Sequence, residues 1–227
     1  MKISQETISI LKNYSSINSN IIIEDGGVLR TMAQSKTIMA VANIPEQFPQ
    51  EVCIYDLNIF LGTLSLFDEP DAEFKEKYML ISDAQNKGKS SKLKYFYAAK
   101  NVVTPMPSEE FIMPESFVDF KLEEGDFNKL VRASATLSLE DFAVESDGKR
   151  ISLTVFNKKD ARGCNRFSID IGAGNGDEYQ MIIKVSNLKM IAGTYDVKMS
   201  KQAITEFKNV NKDITYYIAI DATSKHN

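Results

Sequence analysis

The sequence is poor in residues that carry nucleophilic and redox chemistry, with one histidine and two cysteines among 227 residues. His226 is the penultimate residue, where chain ends are usually mobile, so neither a histidine general base nor a Ser-His-Asp triad is expected. Cys53 and Cys164 lie far apart and lack the CxxC spacing of zinc sites and redox pairs. We expect two buried, reduced thiols and no hydrolase of the triad class.

Long apolar runs and an excess of positive charge are also missing. No stretch approaches the ~20 apolar residues that span a bilayer, and the N-terminus has neither the apolar region nor the cleavage site of a signal peptide. We therefore expect a cytoplasmic protein (host cell cytoplasm if viral) with no membrane partner. The formal net charge of −4 argues against condensation on nucleic acid through bulk electrostatics. Any DNA contact must come from local basic positions.

Cofactor and metal motifs are absent as well. The segment "GAGNG" (172–176) lacks both the GxGxxG spacing and the Lys-Ser/Thr of a P-loop, so we interpret it as a hairpin loop. The acidic clusters "DEPDAE" (68–73) and "EE" (109–110) fall in turn or linker contexts. Because nothing fixes their carboxylates on one face, no two-metal site is predicted, and a metal-dependent nuclease lacks its carboxylate set. We expect no cofactor, no metal, no catalytic residue and no enzymatic activity.

What the sequence does contain is an ordinary globular composition with a division near its middle. Hydrophobic residues make up 43% and charged residues 26%, and the length suits one large domain or two of about 110 residues. Three of the six prolines fall in "TPMPSEEFIMP" (104–114), which is typical of a linker. The sequence therefore predicts an N-terminal domain (1–103), an interdomain linker (104–114) and a C-terminal domain (115–227).

The two halves repeat a common pattern. Each begins with a short strand and an amphipathic helix, followed by a strand pair joined by a glycine-containing turn, "EDGG" in one half and "SDGK" in the other. The predicted helix stripes are Ile8, Leu11 and Tyr14 in the first half, and Phe127, Leu130 and Val131 in the second. A second unit, "VCIYDLNIFLGTLSLF" (52–67), is echoed by "MIIKVSNLKMIAGTYDVKM" (181–199), with Asp56 or Asn187 as the cap of a short helix.

The segment 52–67 predicts a strand, a cap and a helix of about three turns. Its large apolar residues follow the i, i+3, i+4, i+7 spacing of one helical face at Leu57, Phe60, Leu61 and Leu64. Gly62 costs roughly 1 kcal/mol relative to Ala in a helix interior, so we expect something to pack closely against it. This segment is predicted to be scaffold that fixes a helix against a sheet.

Strands outnumber helices. The segments predicted as strands are "GVLRTMA", "TIMAVANI", "KYMLISDA", "KLKYFYAA", "RISLTVF", "RFSIDIG" and "DITYYIAID". Because the helices are too few and the strands too local for a βαβ parallel sheet, the predicted class is α+β. Each of two similar domains should have antiparallel sheet and two short helices.

Basic residues occupy corresponding helices of the two halves. The predicted positions are Lys12 on the first helix, Lys129 and Arg132 on its counterpart, and Lys189 on the short helix of the second half. An isolated helical lysine is usually only solvated surface. Cations on both repeats of an acidic chain nevertheless favour a local surface that faces phosphate.

At this point the chain resembles the DNA polymerase sliding clamps, most closely those of T-even-type bacteriophages. The similar segments, which occur in order along the whole chain, are "ILKNYSSINS" (10–19), "VANI" (41–44), "IYDLNIFLGTLSL" (54–66), "NLKMIAGTY" (187–195) and "IAIDATSKHN" (218–227). The resemblance implies the duplicated DNA-clamp fold, with three two-domain subunits joined head to tail in a ring that helices line.

The resemblance also implies a function and partners. The ring would encircle duplex DNA without sequence preference and tether the replicative DNA polymerase, conferring processivity, while a separate ATP-driven clamp loader would load it. It would also offer a platform for other replication or transcription proteins. The implied DNA-facing residues are Lys12, Lys129, Arg132 and Lys189, with Lys2 and Lys184 as further members. The implied partner-peptide pocket near the linker comprises Met39, Val103, Pro105, Phe111, Ile112, Tyr217 and Ile218. The alternative is a structural or interaction protein that has this fold but does not encircle DNA.

Overall fold

A computed structural model describes residues 1–83, 91–107, 111–159, 165–174 and 176–226. The chain divides into two compact units, Met1–Glu110 and Phe111–Asn227. The predicted domain limits and the linker at 104–114 stay a prediction, because residues 108–110 lie outside the described part. Cys164 and the "EE" pair at 109–110 also lie outside it.

The first unit contains two helices and seven short or medium strands. In chain order its elements are α1 (Gln5–Ile17), β1 (Ile21–Ile23), β2 (Gly26–Met32), β3 (Ile38–Phe48), β4 (Val52–Ile54), α2 (Leu57–Leu64), β5 (Pro70–Phe74), β6 (Tyr78–Asp83) and β7 (Lys92–Phe96). A 3-10 turn, Lys100–Val102, follows. All pairings are antiparallel: β1 with β4, β2 with β3, and β5, β6 and β7 in that order.

The second unit contains one α-helix and nine strands among its described residues. Its elements are β8 (Val118–Leu122), α3 (Glu124–Leu137), β9 (Asp141–Asp147), β10 (Arg150–Phe156), β11 (Phe167–Ala173), β12 (Glu178–Lys184), a 3-10 turn (Val185–Asn187), β13 (Tyr195–Ser200), β14 (Ile204–Asn209), β15 (Ile214–Ala219) and β16 (Lys225–His226). One antiparallel sheet has the order β11-β10-β9-β12-β16. The strands β8, β13, β14 and β15 pair antiparallel in a second layer.

The architecture confirms the predicted α+β class with antiparallel sheets and few helices. Each of the seven segments predicted as strands contains one. The segment 52–67 forms the predicted strand, cap and helix: β4 ends, the Asp56 carboxylate accepts hydrogen bonds from the N–H groups of Asn58 (2.9 Å) and Ile59 (3.0 Å), and α2 begins. The helix is shorter than the predicted three turns, with eight residues, and Leu61 is only partly buried. Leu57, Phe60 and Leu64 of α2 are buried, as the spacing predicted.

Two details of the helix predictions are wrong. A Cβ built on Gly62 meets no atom within 4 Å, and Gly62 itself is exposed, so none of the described residues packs against it. On α3 the buried residues are Phe127, Leu130 and Ser134, whereas Val131 remains 39% exposed. Both residues lie on the helix face turned away from the sheet.

The predicted second helix of the C-terminal half is a single 3-10 turn. Asn187, the predicted cap, is the last residue of that turn, and no α-helix follows it before β13. Two tyrosines of the sheet hold the backbone that follows: the Tyr216 hydroxyl accepts from Ile191 N–H at 3.1 Å, and the Tyr195 hydroxyl donates to Ile191 C=O. Because side chains satisfy these groups, the segment stays extended, and the repeat is imperfect here.

The two glycine-containing turns also behave differently. "SDGK" joins β9 to β10 as a hairpin, with the Asp147 carboxylate accepting from the N–H groups of Lys149 and Arg150 at 2.9 and 2.8 Å. "EDGG" does not make a hairpin, because β1 pairs with β4 and β2 with β3. All three residues of β4 are buried, as are Ile21 and Ile23 of β1, so the two apolar strands shield each other from solvent by pairing.

The "GAGNG" segment is not a hairpin loop. It connects β11 to β12, which are separated in the sheet by β10 and β9, and it crosses over the β9–β10 turn. Gly174 N–H donates to Lys149 C=O at 2.7 Å, and Gly176 N–H donates to Gly148 C=O at 3.0 Å. A Cβ on Gly174 would lie 2.6 Å from the Gly148 carbonyl oxygen, so this crossing requires glycine.

Two further expectations about local order are wrong. Part of the "DEPDAE" cluster forms strand β5, where Asp71 pairs with Ser82 of β6. His226 lies in β16, opposite Tyr179 of β12, with its ring centroid 6.2 Å from that of Phe117. Cys53 is buried and free, as predicted. No helix of the described residues is long and apolar enough to cross a membrane.

Candidate functional site

Helix α1 exposes one basic side chain, that of Lys12, and side-chain hydrogen bonds fix the N-terminus of the helix. Its N-terminus is capped twice: Ser4 Oγ accepts from Thr7 N–H at 3.1 Å, and the buried Glu46 carboxylate accepts from Ser4 N–H and Thr7 Oγ1, both at 2.5 Å. Desolvation alone would raise the pKa of Glu46, but the hydrogen bonds from Thr7 and Ser4 outweigh it and hold that pKa below its ordinary value. Lys12 lies on the exposed face, and no ion pair is recorded for it among the described residues.

Helix α3 presents two cations one turn apart. Lys129 and Arg132 are exposed at i and i+3, so they share a face. Lys129 Nζ lies 3.2 Å from Asp126 Oδ1, with 65% of its side chain exposed. Such an exposed pair contributes little, about 0–1 kcal/mol, so Lys129 can exchange Asp126 for a phosphate. Arg132 has no recorded ion pair in the part of the chain that the structure describes.

The other three predicted DNA-facing lysines differ in their surroundings. Lys189 is exposed in the extended segment that Tyr195 and Tyr216 hold in place. Burial raises the pKa of Tyr195 to about 12, so its hydroxyl stays protonated and able to donate. Lys2 pairs with Glu69 at 2.9 Å. Lys184 Nζ lies 2.5 Å from Asp141 Oδ1, whose side chain is only 2% exposed.

Lys184 therefore holds a structural charge. Without its ammonium group the buried Asp141 carboxylate would keep only the Lys158 N–H, at 2.9 Å, among its recorded partners. Because this ion pair belongs to the fold, we leave Lys184 out of the candidate surface, and Lys2 remains a secondary member. Sequence reasoning missed the difference because the register of β12 against β9, which puts Lys184 opposite Asp141, is a long-range pairing.

The helix surfaces are nearly neutral in charge. The three helices contain three cations and three acids, namely Lys12, Lys129, Arg132, Glu6, Glu124 and Asp126. The acids stand in the first turns, where the helix dipole favours negative charge, and the cations stand further along. The candidate surface therefore offers scattered cations rather than a basic patch.

The residues predicted for the partner pocket are divided between the two units. In the first unit Met39 is half-buried on β3, Val103 is buried, and Pro105 is exposed. Pro105 lines a cavity of about 190 Å³ that the sequence did not indicate. Two ion pairs also line it, Arg30 with Glu24 at 2.7 Å and Lys100 with Glu51 at 2.6 Å.

In the second unit the structure brings Phe111 and Tyr217 together. Their ring centroids are 4.6 Å apart, with 55° between the planes. Ile112 is 84% exposed, whereas Ile218 is fully buried. Because neighbouring residues of a strand point to opposite faces, Tyr217 and Ile218 of β15 cannot line one surface. Ile218 therefore belongs to the core, and we leave it out of the candidate peptide surface.

Among the strand edges and helix faces that remain uncovered are the edges of β7 and β11 and the exposed faces of α2 and α3. β7 ends the three-stranded sheet and β11 ends the five-stranded sheet, and no strand of the described residues pairs with the outer edge of either. Along α2 and its flanks, Tyr55, Ile59 and Leu66 are 62%, 63% and 69% exposed, with Gly62 on the same face. On α3, Val131 and Leu137 are 39% and 37% exposed. Exposed apolar residues clustered in this way are typical of interaction surfaces.

No group of three or more His, Cys, Asp or Glu side chains suited to a metal ion occurs within the described ranges. The chemistry available at these surfaces is thus ion pairing, apolar contact and strand pairing.

Comparison with known proteins finds related sequences along the whole chain. Residues 3–101 match the family model "DNA polymerase processivity factor", and residues 119–222 match "gp45 sliding clamp, C terminal". The curated sliding clamp of Vibrio phage KVP40 is 30% identical over 98% of this chain and 100% of its own length. The sliding clamp of Enterobacteria phage T4 is 31% identical over 100% of this chain and 99% of its own.

Solved structures show the same fold at low sequence identity. The PCNA2–PCNA3 complex of Sulfolobus tokodaii superposes with a TM-score of 0.69 at 14% identity, covering 95% of both chains. A. fulgidus PCNA bound to the C-terminal region of FEN-1 gives 0.69 at 13% identity over 96% of both chains. These likenesses confirm the predicted duplicated clamp fold.

Proposed function

The chain belongs to the phage sliding clamp family of DNA polymerase processivity factors, and we propose on that premise that three copies close head to tail into a ring around duplex DNA. The ring tethers the replicative polymerase without catalysing a reaction itself, and a separate ATP-driven loader opens and closes it in the cytoplasm. The observation that supports the ring most directly is that each unit has an outer strand with an uncovered edge, β7 in the first and β11 in the second.

The two edges have complementary features. β7 turns Lys92, Lys94 and Phe96 outward, and β11 turns Ser168 and Asp170 outward. Unpaired edges otherwise invite aggregation, so a protein that keeps two of them benefits from joining them. Pairing β7 of one copy with β11 of the next is a heterologous contact, which closes into a ring when the rotation per subunit allows it.

Exposed apolar residues flank both edges. The Phe60 ring of α2 lies 5.1 Å from the Tyr95 ring of β7, which places α2 beside that edge. α3 similarly contacts β10 and β11. We propose that the α2 face of one copy, with Tyr55 and Ile59, packs on the α3 face of the next, with Val131 and Leu137. Burying these residues supplies apolar area that strand pairing alone lacks.

The proposed DNA contacts are weak and sequence-independent. Lys12, Lys129, Arg132 and Lys189 of each copy would meet phosphates, which present the same charge at every step along the duplex. With near-neutral helices and few cations, affinity is low, and the ring stays on DNA because it is closed. Weak contacts also permit sliding.

The decisive experiment separates topology from affinity. The protein is loaded onto nicked circular DNA with its loader, the unbound protein is removed, and the DNA is then cut once. A topological ring leaves when the ends become free, whereas it stays on the uncut circle. Retention after cutting would contradict the proposal. Measured mass near three times the 25.5 kDa of one chain provides an independent check.

The partners follow from the family and from the candidate peptide surface. We propose that the polymerase and the loader dock with short peptides on the surface of the second unit where Phe111, Ile112 and Tyr217 lie. One structural relative, A. fulgidus PCNA, holds the C-terminal region of FEN-1, which supports peptide capture as a shared ability of the fold.

A second candidate function is a protein of this fold that does not encircle DNA. The near-neutral charge of the three helices is the observation that favours it. It predicts no retention on the uncut circle even with the loader present, so the same experiment decides between the two.

A further inference from the structure

Phe111 is a large apolar residue whose ring packs against the ring of Tyr217 at the protein surface. Its ring contacts Tyr217 at a centroid distance of 4.6 Å, yet 37% of Phe111 remains exposed. Ile112, next in the chain, points away and is 84% exposed. Tyr217 is half-buried on β15, so the ring pair lies on the outside of the sheet.

The segment that carries Phe111 is otherwise lightly held. Among the described residues after position 110, the first recorded backbone hydrogen bond is that of Phe117 N–H to Met199 C=O, at 2.7 Å. Ser116 adds side-chain bonds at the same end of the segment, to Val118 C=O and Asp119. The Phe111–Tyr217 ring contact precedes these bonds along the segment. An aromatic pair of this kind shifts an equilibrium by roughly twofold to tenfold beyond its buried area.

We infer that Phe111 is an intramolecular competitor for the Tyr217 surface: its ring covers the place where a partner peptide inserts an apolar side chain, and it must leave before that peptide binds. This inference rests on the proposed peptide surface. Because the two rings are already in contact, a second side chain cannot reach the covered part of Tyr217. The chain's own phenylalanine also shows that the surface accepts an apolar side chain of that size.

Competition of this kind lowers the apparent affinity by the fraction of molecules in which Tyr217 is uncovered. If the covered form is favoured roughly twofold to tenfold, removing the Phe111 ring should strengthen peptide binding by about the same factor. A residue that merely lined the pocket would have the opposite effect, since its removal would take contacts away from the peptide.

The test uses a probe made from the chain itself. A capped tetrapeptide of residues 111–114, Phe-Ile-Met-Pro, is titrated into the full-length protein labelled with 3-fluorotyrosine, and the Tyr217 fluorine signal is assigned with Tyr217→Phe. The variants are Phe111→Ala and, as a control at an exposed residue of the same segment outside the peptide surface, Glu115→Ala. A second peptide, Ala-Ile-Met-Pro, controls for the ring. Millimolar peptide is appropriate because a tethered segment has a millimolar effective concentration.

We expect Phe111→Ala to move the Tyr217 signal and to bind the Phe-containing peptide roughly twofold to tenfold more tightly than the unchanged protein does. Glu115→Ala should behave like the unchanged protein, and Ala-Ile-Met-Pro should not bind. Equal or weaker binding by Phe111→Ala overturns the inference, as does failure of the peptide to bind the uncovered surface. Neither result bears on ring closure, which the DNA-cutting experiment tests without any peptide.

Discussion

Replacing Gly62 with alanine should have opposite effects on the folded chain and on the ring. Gly62 is the sixth of eight residues in α2, is exposed, and would place its Cβ in open space within the chain. Glycine costs about 1 kcal/mol relative to alanine in a helix interior, because it loses more backbone freedom on folding. With no new clash to offset this gain, Gly62→Ala should stabilise the isolated subunit by about 0.5–1 kcal/mol.

The ring should respond in the other direction. Gly62 stands between Ile59 and Leu66 on the exposed apolar face that we propose packs on α3 of the next copy. In that contact the missing side chain lets the helices approach, so an added methyl group would have to be accommodated. Overpacking of this kind typically costs about 1–3 kcal/mol, and we expect weaker subunit association by that amount.

The assay measures the two effects separately. Urea unfolding followed by circular dichroism, at a concentration where subunits are separate, gives the free energy of unfolding, with an unchanged slope showing that only stability moved. Sedimentation over a concentration series gives ring association. The matched control is Gly174→Ala, whose Cβ would lie 2.6 Å from a backbone oxygen and should destabilise the subunit. A Gly62→Ala subunit that is not stabilised would refute the helix argument, and unchanged association would refute close packing at α2.

Three further predictions concern charged groups. Glu46→Gln should destabilise the first unit and weaken the pH dependence of its stability. Because the pKa of Glu46 is lowered in the folded state, the stability that Glu46 contributes is complete above its unfolded pKa and is lost as pH falls through its folded pKa. Urea midpoints measured across that pH range would show this difference between the variant and the unchanged protein. Lys184→Gln should destabilise the second unit by about 1–3 kcal/mol, since it leaves the buried Asp141 carboxylate without its ammonium partner; an unchanged urea midpoint would contradict the structural role of this pair. Arg132→Gln, by contrast, should leave the urea midpoint unchanged and reduce the salt dependence of DNA binding, with the slope of log affinity against log salt falling by about 1 for each phosphate that is no longer neutralised.

Features of the fold that depend on residues close together in the sequence could be predicted from it. The strand, cap and helix of 52–67 depend on Asp56 and on a spacing of three and four, both visible in a short window. The hairpin at "SDGK" likewise depends on Asp147 and Gly148, which act on their immediate neighbours.

Features that depend on distant residues could not be predicted. The repeat of the short helix failed because Tyr195 and Tyr216 hold the backbone of Ile191 instead of a local cap. The "GAGNG" crossing depends on the order of four strands, and its glycines follow from the approach to Gly148. In each case an interaction made by the folded sheet decides the local structure.

The same division applies to the candidate site. A sequence shows that a lysine is present, but only pairing shows whether it is available: Lys184 and Lys129 look alike in the sequence, yet one neutralises a buried aspartate and the other lies 65% exposed. The sequence pattern therefore identified the candidate cations but could not show which of them are available to bind phosphate.

With so few cations on the helices, closure of the ring should contribute more than affinity for DNA to keeping the protein on DNA. Four proposed phosphate contacts per copy, each exposed and screened by salt, give a binding energy that falls steeply between low and physiological ionic strength. A clamp that relied on them would leave DNA in ordinary buffer, whereas one that relies on closed β7–β11 junctions would not. Substitutions at these edges should therefore shorten residence on circular DNA far more than removal of any single cation. Introducing proline for Lys94 of β7 or Ser168 of β11, whose backbone N–H groups point away from β6 and β10 to the outer edge, should have the larger effect, and Arg132→Gln the smaller. The reverse order would mean that affinity, not closure, holds the protein on DNA.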